Sequence, residues 1–223
     1  MQHDFWIDRW HKGETGWHRG EVHPELIAHW PKLALPVKSR IFVPLCGSSL
    51  DMAWLASQGH EVIGVELSRV AIEKFLAENR VKHVVMDESG FRTYLGGRYQ
   101  LWCGDIFALP AEALAGVTAI YDRASLIALP PDLRERYARF LAERLPAGTL
   151  GLLISFAYDQ REMNGPPFSV PPDEVSRLLG AAFDITPIAT ADALDATMRK
   201  RGLTALSESS YLLHRKSSSG ANT

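Results

Sequence analysis

From Arg40 onward the chain alternates short apolar runs with stretches of helical period, and few folds accommodate that rhythm. Ile41-Phe42-Val43-Pro44-Leu45 reads as a buried strand, with Pro44 marking where its ladder ends, because proline has no N–H to donate. Leu50 to Gln58 follows as a helix stopped by Gly59. Glu61-Val62-Ile63-Gly64-Val65 is a second strand, and Ser68 opens a second helix with Val70, Ala71, Phe75 and Leu76 as its apolar positions. Further strands are expected at Gln100 to Cys103, Ala119 to Asp122 and Leu150 to Phe156. Pro131 to Leu145 has proline at its start and Gly148 beyond its end, as a helix should. Pro171 to Gly180 reads as another helix, with closing strands at Phe183 to Ile188 and Ser209 to His214. Such β-α-β-α order belongs to a mostly parallel sheet with helices on both faces. The run from Lys82 to Gly97 follows no simple period and is expected to be an excursion between elements.

No repeat or linker interrupts the pattern, so residues 1–216 are expected to be a single domain, with 1–39 a helical cover and 217–223 a disordered tail. At 223 residues, 46% hydrophobic and 22% charged, the chain can bury a full core, which excludes disorder as its main state. The 24 basic and 26 acidic residues give a net charge of −2, too small a field for non-specific binding to nucleic acid or acidic membranes. The longest apolar run, Leu150 to Tyr158, is too short to span a bilayer, and the first residues are not a basic leader to an apolar stretch. The expected compartment is the cytoplasm. Two cysteines, Cys46 and Cys103, make no disulfide scaffold, and each follows an apolar run as a small buried thiol would.

In an open parallel sheet, ligands bind beyond the carboxyl ends of the strands, so four strand ends carry the candidate site. The first is Pro44-Leu45-Cys46-Gly47-Ser48-Ser49-Leu50-Asp51, where Gly47 lets a ligand approach the backbone closely. It is not G-x-G-x-x-G, which weighs against NAD and FAD, and a plain turn before a helix accounts for it as well. Glu66 ends the second strand, 21 residues past Leu45. A carboxylate there can accept both ribose hydroxyls of a nucleoside; the alternative is a solvated charge near the next helix. Asp105-Ile106 follows the third strand, where an acid can accept from an exocyclic amine while isoleucine covers a purine, although aspartate is also a common turn residue. Asp122-Arg123 ends the fourth strand. Arg123 there can hold an anionic group, or the two can pair with each other or with Glu66. The eight histidines match no zinc spacing, so no metal is expected, and neither a Gly-x-Ser-x-Gly elbow nor a phosphate loop is present. Residues 1–39 hold Trp6, Trp10, Trp17 and Trp30, four of the six tryptophans. They can serve as a packed cover, as a lid over a ligand, or as both.

These stretches together resemble the thiopurine S-methyltransferase family, most closely its bacterial branch, among the class I S-adenosylmethionine-dependent methyltransferases. The resemblance runs from about Phe5 to Lys216. Phe5 to Trp10, Phe42 to Gly47, Gly59 to Ser68, Tyr121 to Leu129 and Gly165-Pro166-Pro167-Phe168-Ser169-Val170-Pro171 carry it. It implies a Rossmann-like α/β fold with a seven-stranded, mostly parallel sheet whose last strand is antiparallel. It also implies transfer of the sulfonium methyl of S-adenosyl-L-methionine to thiopurines or other aromatic and heterocyclic thiols, leaving S-adenosyl-L-homocysteine. By position, Trp10, Leu45, Glu66, Asp105, Ile106 and Arg123 match the family's cofactor contacts, the Gly47 backbone belongs to the same loop, and Trp17 falls where an aromatic residue meets the substrate ring. Ser48 stands where relatives often carry lysine, which puts any contact of that lysine in question. No general-base constellation is visible. Arg123 is therefore the candidate electrostatic stabiliser of a thiolate acceptor, with the Arg199-Lys200-Arg201 run read as a solvated helix end. Such an enzyme would act as a monomer on small molecules, with neither nucleic acid nor membrane as partner. Two other readings stay open: methylation of selenium and tellurium compounds in metalloid detoxification, and a non-catalytic nucleoside-binding sensor.

Overall fold

The structure, a computed structural model, describes residues 3–217. Residues 218–223, most of the expected tail, lie outside the described residues. The chain divides into two compact units, Met1–Tyr121 and Asp122–Thr223.

In the first unit, α1 (His3–Lys12), α2 (Pro24–His29) and a 3-10 turn (Trp30–Leu33) form the cover. Then come β1 (Arg40–Val43), α3 (Leu50–Ser57), β2 (Glu61–Glu66), α4 (Arg69–Glu78), β3 (Val84–Glu88), β4 (Phe91–Gly96) and β5 (Tyr99–Cys103). Two short 3-10 turns lead to β6 (Val117–Arg123), which ends just past the unit. The strand order is β3-β4-β5-β2-β1-β6. β1 pairs in parallel with β2 and β6, and β2 with β5, so Glu66 lies opposite Cys103. Ile41, Phe42, Val62, Val65, Leu101 and Ala119 are fully enclosed, as continuous apolar runs on a sheet covered on both faces must be. β1 stops at Val43, before Pro44. Ser49 and Ser68 cap α3 and α4 by accepting from the amides of Asp51 and Ala71. Gly59, at φ +90°, ends α3 in a conformation that favours glycine.

The second unit holds α5 (Ser125–Ala128), α6 (Pro131–Arg144), β7 (Leu150–Ala157), α7 (Pro172–Leu179), β8 (Phe183–Asp192), α8 (Ala196–Lys200) and β9 (Ser207–Arg215). β9 lies between β7 and β8 and is antiparallel to both, as implied for the last strand. Arg134 of α6 is buried, its guanidinium pairing with Glu174 of α7 at 2.6 Å and donating to the Leu129 carbonyl at 2.8 Å.

Among the described residues the strands number nine rather than the expected seven. Both extra strands come from the run 82–97, which is a hairpin, β3-β4, turning at Ser89-Gly90 and pairing antiparallel with β5. Its first strand hid from the sequence because Val84, Val85 and Met86 are all exposed, so no alternation of buried and exposed residues marks it.

Candidate functional site

The ends of β1, β2 and β5 lie side by side, and the loops beyond them carry most of the expected residues. After β1 the chain turns sharply: Leu45 takes φ +45° and Gly47 φ +54°. A left-handed leucine costs of order 1–3 kcal/mol, a strain that clusters at binding sites. The Cys46 amide bonds the Val65 carbonyl at 3.0 Å, which ties this turn to the end of β2.

Glu66 is only 6% exposed, so it is not a solvated charge. One carboxylate oxygen accepts from the Gly47 amide at 3.0 Å and the other from the Ser68 amide at 2.8 Å. Burial pushes its pKa above the ordinary value of 4.5, while the Ser68, Gly47 and Leu67 amides pull it back down. Each oxygen keeps lone-pair capacity beyond its amide bond. The Cys46 and Cys103 thiols are both pushed up, first by burial and then by the charge of Glu66; Cys46 is buried as expected, whereas Cys103 is only half-buried.

Beside Glu66, the Gly104 amide bonds the Glu66 carbonyl at 2.9 Å and leads into Asp105-Ile106. Asp105 acts as the turn residue its type favours, accepting from the Phe107 amide at 3.0 Å, while Ile106 is buried. Phe91 of the hairpin presses on this corner: a Cβ on Gly104 would lie 2.5 Å from its ring.

The cover reaches the same loops. The buried Trp10 ring packs on Gly47, where an added Cβ would lie 3.1 Å from it. Trp17 meets Trp10 edge to face at 6.0 Å and Trp6 at 5.1 Å, so three indoles of the cover form one cluster. Ser48 is buried, its hydroxyl 3.4 Å from Nδ1 of His18.

The structure therefore brings together Trp10, Trp17, Leu45, Gly47, Glu66, Asp105 and Ile106. In the second unit, Asp122 is buried and accepts from the Tyr137 hydroxyl at 2.6 Å and the Ser125 amide at 3.3 Å. Burial raises its pKa, against the lowering effect of bonds from the Tyr137 hydroxyl and from the Ser125 side chain and amide. Half-buried Arg123 follows as the last residue of β6. Arg199 and Lys200 end the exposed helix α8, and Arg201 donates to the Pro166 carbonyl.

Asp51 carries no distinguishing signal in the sequence, yet the fold gives it a central place. Buried in the first turn of α3, it accepts from the His23 amide at 2.8 Å and the Tyr121 hydroxyl at 2.9 Å. An acid in a first turn usually reads as a partner of the helix dipole, so nothing local distinguished it.

The family model for thiopurine S-methyltransferase (TPMT) matches residues 1–216. A thiopurine S-methyltransferase of Pseudomonas fluorescens (strain Pf0-1) is 47% identical over 213 residues, covering 95% of this chain and 98% of that protein. One of Azotobacter vinelandii is 46% identical over 218 residues, covering 97% and 100%. A solved structure of Burkholderia thailandensis 1,6-didemethyltoxoflavin-N1-methyltransferase with bound S-adenosylhomocysteine is similar with a TM-score of 0.67 at 18% identity, covering 96% of this chain and 87% of that one. A SAM-dependent methyltransferase from Anabaena variabilis is similar with a TM-score of 0.68 at 14% identity, covering 96% and 95%. At such identities the likeness is one of fold, and the fold is that of the class I methyltransferases.

Proposed function

The chain belongs to the thiopurine S-methyltransferase family, and we propose that it transfers a methyl group from S-adenosylmethionine to thiopurines and other aromatic or heterocyclic thiols. The observation that carries the reading is the Glu66 carboxylate. It is buried at the end of β2 and oriented by two backbone amides, one of them that of Gly47, on which Trp10 packs. The chemistry of these groups fits a nucleoside with a cationic sulfur: vicinal hydroxyls for the spare acceptor capacity of the carboxylate, and an indole for the apolar and cationic parts.

When bound, S-adenosylmethionine supplies an electrophilic methyl that needs no further activation. Glu66 would accept hydrogen bonds from the ribose hydroxyls and so fix the sugar. Leu45, Gly47 and Trp10 shape the loop beyond β1, and Asp105 and Ile106 take the base. Trp17 walls the acceptor chamber and, with Trp10, keeps water out. For Arg123 the family resemblance supplies the role: a positive charge that favours the thiolate over the thiol. The acceptor sulfur would form its bond to the methyl carbon as the sulfonium carbon–sulfur bond broke, both electrons of that bond leaving with the departing sulfur. An aromatic thiol is already largely ionised near neutral pH, so the protein contributes alignment more than proton transfer.

The same reading takes residues 1–216 as one methyltransferase domain covered by 1–39, working as a cytoplasmic monomer on small molecules. No helix among the described residues is long and apolar enough to cross a membrane. Because only a soft, polarisable anion is required, selenolates, and by extension tellurium species, are a second acceptor class.

The test is calorimetry with S-adenosylmethionine, followed by methyl transfer to a thiopurine, an aryl thiol and an aryl selenol. We expect one-to-one binding and methylation of the thiopurine. Absence of binding overturns the reading. Binding with no methylation of any acceptor transfers the case to a nucleoside sensor.

A further inference from the structure

Between α1 and α2 the cover runs from residue 13 to 23 without helix or strand, and this loop carries Trp17. Such a stretch has many conformations to lose, and a chamber wall needs one of them. The Gly13 and Glu14 amides donate to the Trp10 and Arg9 carbonyls at the loop's start, and further contacts hold the rest of it. Trp17 leans on Trp6 and Trp10, His18 touches the Ser48 hydroxyl, and the His23 amide donates to Asp51. The first two are ring and side-chain contacts, which can shift with their rotamers. The third binds the main chain at the loop's far end, where it enters α2.

Asp51 is 1% exposed, and its second oxygen accepts from the hydroxyl of Tyr121, itself 1% exposed. Tyr121 is in turn packed edge to face against Trp30 at 6.1 Å, and the Trp30 indole donates to Nε2 of His60. Asp51 sits four residues beyond Gly47, on the helix that the Gly47-Ser48 loop opens. One buried carboxylate thus joins the exit of the tryptophan loop, the loop beneath the nucleoside and the end of β6. A buried charge is costly unless paired, and the His23 amide and the Tyr121 hydroxyl, which pair with this one, belong to the features that must be held in register.

We propose that Asp51 is a positioning residue for the acceptor: it sets where Trp17 stands against Trp10, whose ring packs on Gly47, without itself touching the reacting atoms. The proposal rests on the methyltransferase reading above, and its test separates the two. Wild type, Asp51→Ala, Asp51→Asn and Tyr121→Phe are compared in S-adenosylmethionine calorimetry, in steady-state kinetics with a thiopurine, and in amide hydrogen exchange without any ligand.

In Asp51→Ala the acceptor KM rises about tenfold or more, while cofactor Kd stays within about threefold. Exchange protection is lost first across residues 13–23. Asparagine can accept from the His23 amide and donate to the Tyr121 oxygen, so Asp51→Asn recovers most of the acceptor KM. Tyr121→Phe, which leaves the His23 bond intact, falls between the two. A parallel loss of cofactor affinity and acceptor KM overturns the proposal, as does an asparagine variant no better than alanine or unchanged exchange across 13–23. If Asp51→Ala does not fold, the asparagine and phenylalanine variants carry the same comparison. Failure of the wild type to methylate any acceptor would instead sink the methyltransferase reading, leaving the exchange result to stand for the anchor.

Discussion

Glu66 is held by opposing effects. Burial favours its protonated form, and two amides aimed at its oxygens favour the carboxylate. Because its folded pKa is raised, its contribution to stability is fully present below the ordinary value of 4.5 and is lost as pH rises through the folded pKa. Binding runs the other way, since a protonated carboxyl offers fewer acceptor sites to a sugar. Cofactor affinity measured by calorimetry should therefore weaken as pH falls toward 4.5, earlier than titration of an ordinary carboxylate would cause, and Glu66→Ala should remove that dependence. The same substitution should cost about 1–3 kcal/mol of cofactor binding at neutral pH, the scale of unpairing buried hydroxyls. Unchanged affinity would take Glu66 out of the site. Glutamine is not a neutral replacement here, because its NH2 would face either the Gly47 or the Ser68 amide, donor against donor.

The hairpin β3-β4 acts on the site as an element. Phe91 begins β4, is buried, and stands edge to face against Trp102 at 5.6 Å. Its ring fills the space over Gly104, the residue that hands the chain from β5 to Asp105-Ile106. A Cβ at 104 would meet Cδ1 and Cε1 of that ring at 2.5 Å, too close for any contact to persist without movement. Gly104→Ala should destabilise the first unit by about 1–3 kcal/mol, the ordinary cost of overpacking, seen as a lower urea midpoint at unchanged slope. Adding Phe91→Leu should recover part of the loss. If the double variant is simply the sum of the two single losses, Phe91 does not press on Gly104.

At the scale of the whole molecule, all six tryptophans fall within residues 1–121. Indole fluorescence therefore reports the unit that holds Glu66, whereas circular dichroism reports both units. S-adenosylmethionine at about a hundred times its Kd should stabilise that unit by about 2.7 kcal/mol through mass action, moving the fluorescence-detected midpoint upward. An unmoved midpoint would mean that the cofactor does not bind the folded form of this unit.

The sequence by itself determined the order and kind of most elements, since hydrophobic period, proline and serine caps are written within a few residues of where they act. Strand ends can be located in the same way, which is why the positions of Gly47, Glu66 and Asp105 at strand ends are legible in the sequence. The hairpin escaped because its first strand is exposed on consecutive residues and lacks a period. What only the tertiary structure decided was how distant groups meet: Trp10 on Gly47, Trp17 on Trp10, and Asp51 shared by partners 28 and 70 positions away. No local pattern encodes such pairings. They exist because burying the apolar runs of the sheet brings these groups to one edge, where a buried carboxylate must find donors wherever the fold supplies them.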